Sequence, residues 1–357
     1  MTQEFITAFL KGYSDSSFTN PHEAMLIDEP EDRRGTFTHM GAQYWGYETR
    51  RHRATCLNAE AECFSFDNDA YHWLNIGFTR EATVSKVTFS TRWYTGNQVP
   101  EISLVMLHQG KETMVLDRVT LDPDSELTLE FEPTYADGAM LKCYHEGGLA
   151  RVNFYGDMDL SASAERPNLL QSATISHVSN EHFGGPRWAV EGCRKEDHMR
   201  GWESARWGFG EQAVFSLSKP VQPRQLVVDT YLHRLNSPLS CHAFGWNQST
   251  SELTIDQAMA LAPRWQLEFE DGSVRQPENF QDYMRNKQFL LETVSNNSRF
   301  TVRLLQQTGS PWVDLIGFVP LRSDTYHEIP MVNTTTISHL LYLHYPNGGI
   351  HGLKLLD

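Results

Sequence analysis

The sequence predicts an all-β chain made of two β-sandwiches of the jelly-roll kind in tandem, and three observations carry that prediction. Markers recur in the same order along the chain, short strand-like runs outnumber helical ones, and turn residues punctuate those runs at regular intervals. The first marker, Gly46-Tyr47-Glu48-Thr49-Arg50, returns as Gly201-Trp202-Glu203-Ser204 with Arg206. The second, Thr91 with Asn97 and Pro100, returns as Thr230, Asn236 and Pro238. Tyr144 with Gly147-Gly148-Leu149 closes the first copy, and Tyr345 with Gly348-Gly349-Ile350 closes the second. One matching pentapeptide is cheap and an ordered series is not. The chain therefore reads as two copies of one folding unit, residues 1–160 and 169–357, each of ordinary domain size. The spacing between markers shortens early in copy two and lengthens late, which places an insertion between about 247 and 325.

The elements follow in order. Residues 82–90, 101–107 and 127–131 alternate or concentrate β-branched and aromatic side chains between Gly, Pro, Asn and Asp, so they are expected as strands. Residues 225–230, 265–270 (ending at the turn pair Asp271-Gly272) and 300–305 are their counterparts in copy two. Helical periodicity is scarce. Residues 251–262 and 277–294 have room for helices, the second with Phe280, Met284, Phe289 and Leu290 as its apolar positions. The polar stretch 161–168, with Pro167, is the expected linker.

Composition excludes several classes of function. With 357 residues, 40% hydrophobic and 11% aromatic, the chain has enough apolar side chains for one or two cores. Its net charge of −15 argues against nucleic acid, which is gripped by clustered Lys and Arg that release counterions, and against anionic membrane surfaces. No stretch approaches about 18 uninterrupted apolar residues, and the first residues show neither a basic nor a long apolar region. A cytoplasmic protein is expected. Cys56, Cys63, Cys143, Cys193 and Cys241 are odd in number and form no C-x-x-C pair, so neither a disulfide framework nor a structural zinc site is expected. The histidines show no H-x-H or H-x-x-x-H cluster, and neither a metal nor another cofactor is expected.

Chemistry concentrates at residues 48–53. There Glu48 stands beside Arg50, Arg51, His52 and Arg53, a local inversion of charge in an acidic chain. Guanidinium forks match carboxylates bidentately, so the segment suits a pocket for a small carboxylate or ureido substrate, with Glu48 or His52 to move protons. The plain alternative is a solvated basic loop paired with nearby acids, and the recurring Glu of both copies also suits a backbone cap. Trp93, Tyr94, Trp202 and Trp207 sit near the markers and read as exposed aromatics, either wedging the sandwich edges or stacking on a sugar or planar ureido group. No Ser-His-Asp order, nucleophilic Cys setting or Gly-rich phosphate loop is present.

These residues resemble the allantoicase family. Residues 46–53 look like its G-W-E-T-R-R-H/R-R motif, and residues 178–186 look like its S-D/N-x-F-F/H-G-x-P opening of the second repeat. Thr95-Gly96-Asn97 with Pro100 resembles the T/K-G-N-Y-P turn, Val228-Asp229-Thr230 the V-D-T motif, and residues 147–151 and 345–350 the Y-P-D-G-G-I/V-A/S-R ending of each repeat. The resemblance implies two galactose-binding-like jelly rolls assembled into homo-oligomers. It also implies hydrolysis of allantoate, a carbon bearing one carboxylate and two ureido groups, to ureidoglycolate and urea in purine breakdown. Arg50, Arg51 and Arg53 would then hold carboxylate or ureido oxygens, with Asn97 beside them, while Glu48 or His52 moves protons. Copy two would offer Glu203, Arg206 and Asp229, plus His182. The chain departs from the family at several of these positions. The Asp before G-W-E is Trp45 and Arg200, and V-D-T-x-H becomes Phe89-Ser90-Thr91-Arg92-Trp93 in copy one and ends in Leu232 in copy two, with His233 one place off. A lost Asp or His removes a proton carrier, which leaves a second reading open: a non-catalytic double jelly roll that binds a small ligand or carbohydrate. The arginines kept in copy one and thinned in copy two point to one specialised site per chain.

Overall fold

A computed structural model describes residues 4–17, 19–38, 41–42, 44–161, 166–192, 194, 201–205, 210–275 and 299–357. The chain divides into two units, Met1–Glu165 and Arg166–Asp357. In the first, the strands are β1 (Glu4–Ile6), β2 (Ala8–Tyr13), β3 (Phe37–Thr38), β4 (Gly41–Ala42), β5 (Tyr47–Glu48), β6 (Thr55–Asn58), β7 (Cys63–Phe66), β8 (Tyr71–Ser90), β9 (Glu101–His108), β10 (Lys111–Thr120), β11 (Glu126–Tyr144), β12 (Gly148–Leu149) and β13 (Arg151–Met158). The main sheet runs β1-β13-β8-β11-β9-β10, with β2 added on β8. β8 is long because it serves two neighbours on the same side: Leu74 to Phe78 pair with β2, and Ala82 to Ser90 pair with β13. A register shift in the β8–β11 ladder between Ala136 and Gly138 separates those halves, a bulge of the kind that bends a sheet. Leu74, Ile76, Val84 and Phe89 of β8, Leu141 of β11 and Phe154 of β13 then meet in one core with Tyr47 and Leu149. The expected strands at 82–90, 101–107 and 127–131 all lie within β8, β9 and β11.

The second unit holds β14 (Thr174–Val178), helix α1 (Pro186–Glu191), β15 (Trp202–Glu203), β16 (Glu211–Val221), β17 (Gln225–Asp229), β18 (Ser240–Trp246), helix α2 (Ile255–Ala260), β19 (Arg264–Phe269), β20 (Val274–Arg275), β21 (Phe300–Leu305), β22 (Val313–Asp314), β23 (Val319–Pro320), β24 (Tyr326–Pro330), β25 (Ile337–Tyr345), β26 (Gly349–Ile350) and β27 (Gly352–Leu356). Two sheets, β14-β16-β25-β18-β22 with β23 on β18, and β24-β17-β27, supply one core. Where the first unit runs β8 unbroken, the second interrupts the path at Gln222, Pro223 and Arg224, because proline has no N–H for the ladder.

The stretch after β18 covers the outer face of the larger sheet. Ala258, Met259 and Ala262 around α2, Trp265 of β19 and Trp312 pack on Val214, Phe244, Trp246, Leu341 and Leu343. Leu340 and Tyr342 point the other way into the first core, so β25 is buried on both faces and reads as a near-continuous apolar run. The helix expected within 251–262 is α2, started by a Thr254/Gln257 capping box; the one expected at 277–294 lies outside the described residues. No helix of the described residues is long and apolar enough to cross a membrane.

Two aromatics read as exposed are fully buried. Tyr94 and Trp202 show 0% exposure, since Tyr94 packs against Gly148 of the β5–β12 pair and Trp202, on β15 itself, turns into the core beside Tyr342. The Trp202 indole N–H donates to the Asn180 carbonyl at 2.8 Å and its ring lies 4.9 Å from that of His344. Across the β16–β25 ladder His344 faces Glu211, itself bonded by the Ser179 hydroxyl. Burial pushes the Glu211 carboxyl up to about 7 and holds the His344 imidazole down to about 3, so both are neutral groups in the folded unit at mildly acidic pH. Because the folded value for Glu211 lies above the unfolded 4.5, the unfolded chain gives up this proton first, and the Glu211 contribution to stability falls as pH rises from about 4.5 to about 7. Glu211→Gln is expected to remove that slope and to be more stable than the parent at pH 8 by up to about 3 kcal/mol, measured by denaturant unfolding across that range.

Candidate functional site

Each unit presents a glutamate from a two-residue strand. In the first, Gly46 turns the chain at φ +60, where a Cβ would lie 2.3 Å from the Ala150 carbonyl oxygen, and β5 then pairs with β12 in the register Tyr47↔Leu149 and Glu48↔Gly148. Gly148 must be glycine, because a Cβ there would sit 1.9 Å from the Tyr94 ring. Its N–H donates to the Asn97 carbonyl at 2.7 Å, while the Thr49 N–H donates to the Gly147 carbonyl and the Gly147 N–H to the Thr49 hydroxyl, both at 3.0 Å. The Tyr94 hydroxyl donates to the Trp45 carbonyl and lies 3.3 Å from that of Tyr47, which locks the ring in place.

Glu48 is buried, and its Oε2 has no hydrogen-bond partner among the described residues. Burial pushes its carboxyl up, against a hydrogen bond from Asn97 and the charge of Arg51. The other basic groups are engaged elsewhere. Arg50 donates its N–H to Asp15 at 3.1 Å and its Nε to the Ser16 carbonyl at 3.3 Å, and Arg53 lies 3.8 Å from Asp15. His52 is exposed at φ 70 and its backbone N–H bonds Glu146. Of the segment, the structure thus brings Arg51 and Asn97 to Glu48, and turns Arg50 and Arg53 onto the Asp15 loop.

The second unit repeats the scaffold. β15 pairs with β26 in the register Glu203↔Gly349, the Gly349 N–H donates to the Asn236 carbonyl at 2.8 Å, and the Ser204 N–H to the Gly348 carbonyl at 3.2 Å. Asn236 Nδ2 donates to Glu203 Oε1 at 2.8 Å. The loop before each asparagine is built identically: Trp93 and Leu232 have φ 70 and 61, and their N–H groups donate to Asp124 and Asp324, both at 2.8 Å. The next residue is Tyr94 in one unit and His233 in the other. A Cβ at Gly349 would lie 2.3 Å from the His233 ring, so the imidazole occupies the place of the Tyr94 phenol. The histidine one place off in sequence is therefore at the glutamate in space, bonded to Asn236 and acted on by Glu203.

Asp229 is buried, held by Arg194 through Nε and Nη2 at 2.8 and 2.7 Å and by the Tyr231 N–H at 3.1 Å. His182 is exposed with its ring edge-on to Phe183, 4.3 Å between centroids. Arg206 lies outside the described residues. Away from both glutamates, Glu81, His108 and Asp137 offer ligand atoms within 4.8 Å of one another, three positions too far apart in sequence to form a visible motif.

A family model described as the allantoicase repeat matches the chain twice, over residues 3–159 and 168–356. A probable allantoicase of Burkholderia mallei is 26% identical over 247 residues, 64% of this chain and 69% of that one. A probable allantoicase of Schizosaccharomyces pombe is 25% identical over 213 residues, 55% of this chain and 58% of its own length. A solved allantoicase structure aligns over 99% of this chain and 90% of its own, at 18% identity and a TM-score of 0.34.

The glycine contact gives a direct check. Gly148→Ala is expected to destabilise the first unit by roughly 1–3 kcal/mol or more, because the Tyr94 ring is pinned and cannot retreat. Gly96→Ala, where nothing lies within 4 Å of the added Cβ, should leave the denaturant midpoint unchanged.

Proposed function

The chain belongs to the allantoicase family, and we propose that it hydrolyses allantoate, or a closely related ureido acid, to ureidoglycolate and urea. The observation that carries this reading is the duplicated glutamate and asparagine: Glu48 with Asn97 and Glu203 with Asn236, each fixed by a glycine-faced strand pair. In the reaction the C–N bond to one ureido group breaks as its nitrogen takes a proton, and water bonds the same carbon while losing one. A carboxyl that first gives and then takes a proton meets both needs. Burial favours the protonated form of Glu48, as a proton donor to departing urea requires. Arg51, whose charge reaches Glu48, is the proposed partner of the substrate carboxylate, with Arg50, Arg53 and His52 at the rim. Glu203 is the proposed proton carrier of the second unit; His182, Arg206 and Asp229 complete the proposal there. A cytoplasmic, homo-oligomeric enzyme belongs to the same proposal, supported by the family resemblance of the sequence.

The purified protein should release urea from allantoate. The double variant Glu48→Gln with Glu203→Gln should keep its fold and lose release. Arg51→Ala should weaken allantoate binding by calorimetry by on the order of 1.5–3 kcal/mol, the usual worth of a hydrogen bond to a charged group. A parent that binds allantoate or other ureido acids and releases no urea would support the non-catalytic ligand-binding reading instead.

A further inference from the structure

The two copies place the same backbone around different rings, and that contrast acts as an internal control. In the first unit the phenol of Tyr94 lies over Gly148 and its hydroxyl is already committed to the Trp45 carbonyl, so the ring on that glycine offers no proton carrier for the reaction. In the second unit the shorter imidazole of His233 lies over Gly349, its Nε2 3.5 Å from where a Cβ on Gly201 would stand. Glu203 beside it is half-buried where Glu48 is buried. Asn236 bonds both groups, donating to Glu203 Oε1 at 2.8 Å and sharing a hydrogen bond with the His233 ring. One amide thus fixes the carboxylate and the imidazole together, and that leaves the second ring nitrogen of His233 as a base or acid at the same spot.

We infer that most of the turnover resides in the second unit, with His233 as a catalytic residue that exchanges protons with substrate beside Glu203, while the first unit, with Tyr94 in that place and Glu48 as its only proton carrier, turns the ureido acid over far more slowly. This rests on the allantoate-hydrolase reading. The balance is that of the reaction above: His233 takes a proton from the water whose oxygen bonds the carbon and passes it to the ureido nitrogen as the C–N bond breaks, so no proton is gained or lost overall. The charged and titratable groups facing the ring are Glu203 on β15, Asp229 on β17, Asp324 from the loop before β24, and His344 on β25. Burial holds the imidazole below its ordinary value, against Glu203 and the bond to Asn236, so it is neutral and able to accept a proton at pH 7.

The test is His233→Tyr, which installs the ring that Tyr94 shows the scaffold accepts, together with His233→Asn in case the first variant does not fold. Both should cut kcat on allantoate at least about 100-fold, the usual share of a general acid or base, with KM changed less than threefold. In the parent the acid limb of the kcat/KM profile should follow the His233 imidazole titrated by NMR, and Glu203→Gln should move that titration to lower pH. Release that survives in His233→Tyr and disappears in Glu48→Gln would put the chemistry in the first unit and overturn the inference. Parental kcat in His233→Asn would overturn it equally. A parent without allantoate hydrolysis would sink the hydrolase reading separately. In that case N-carbamoylglycine, which carries one carboxylate and one ureido group, decides the site: shifts of the His233 ring resonances on adding it uphold a ureido site there, and their absence overturns it.

Discussion

The arrangement depends on one steric constraint, that a carboxylate is held beside an asparagine only because the residue facing it across the strand pair has no side chain. Gly148 and Gly349 each lie flat under a ring, Tyr94 or His233, at a distance no Cβ could tolerate. The ring in turn stands on a loop whose reversal is paid for by an aspartate accepting the backbone N–H of Trp93 or Leu232. Glycine, ring, asparagine and glutamate are therefore one mechanical unit. Moving any of them moves the carboxylate, because protein interiors pack as tightly as organic crystals and have no slack to absorb the change.

Against that shared frame, small differences in burial decide what each carboxyl can do. Glu48 loses nearly all contact with solvent and is pushed toward its neutral form, while Glu203 keeps some exposure and gains an imidazole neighbour. The same logic keeps Glu211 and His344 uncharged a short way off. An acidic chain with a net charge of −15 thus holds several of its buried ionisable groups neutral, and its surplus of negative charge belongs to the surface.

What could be read from the sequence was what the backbone dictates. Gly46, Gly148, Asn97 and their counterparts recur because turns and close approaches permit few residue types, so their order disclosed the repeat; the pairing of each glutamate with its asparagine is visible only in the structure. Strands such as 225–230 and 300–305 were legible for the same reason, being short β-branched runs between turn residues. Side-chain partners left no such trace. Asp15 takes the backbone of Arg50 and the side chain of Arg53 from a distant loop, and Arg194 closes on Asp229, with no spacing that announces either. Trp202 and Tyr94 flank motifs, which suggests exposure, whereas Tyr94 packs on Gly148 and Trp202 turns from β15 into the core. Matched to a V-D-T-x-H pattern, His233 is one place off; matched to the other half of its own chain, it stands where Tyr94 does.

The edge strands of the first unit carry a consequence for biosynthesis. β1 pairs with β13, Glu4 opposite Gly156, so the first strand of the unit waits for its last strand before it is sheltered. In the second unit Leu169 donates to the Leu355 carbonyl, and the Asn168 side chain binds Leu353 and Leu355, so closure there also waits for the last strand of the unit, β27. Translation proceeds at roughly 5–20 residues per second, so the first unit has on the order of ten seconds or more to close before its twin is complete. That delay separates two sets of mutually compatible strands in time, and it protects a tandem duplicate from pairing the β-strands of one copy with those of the other.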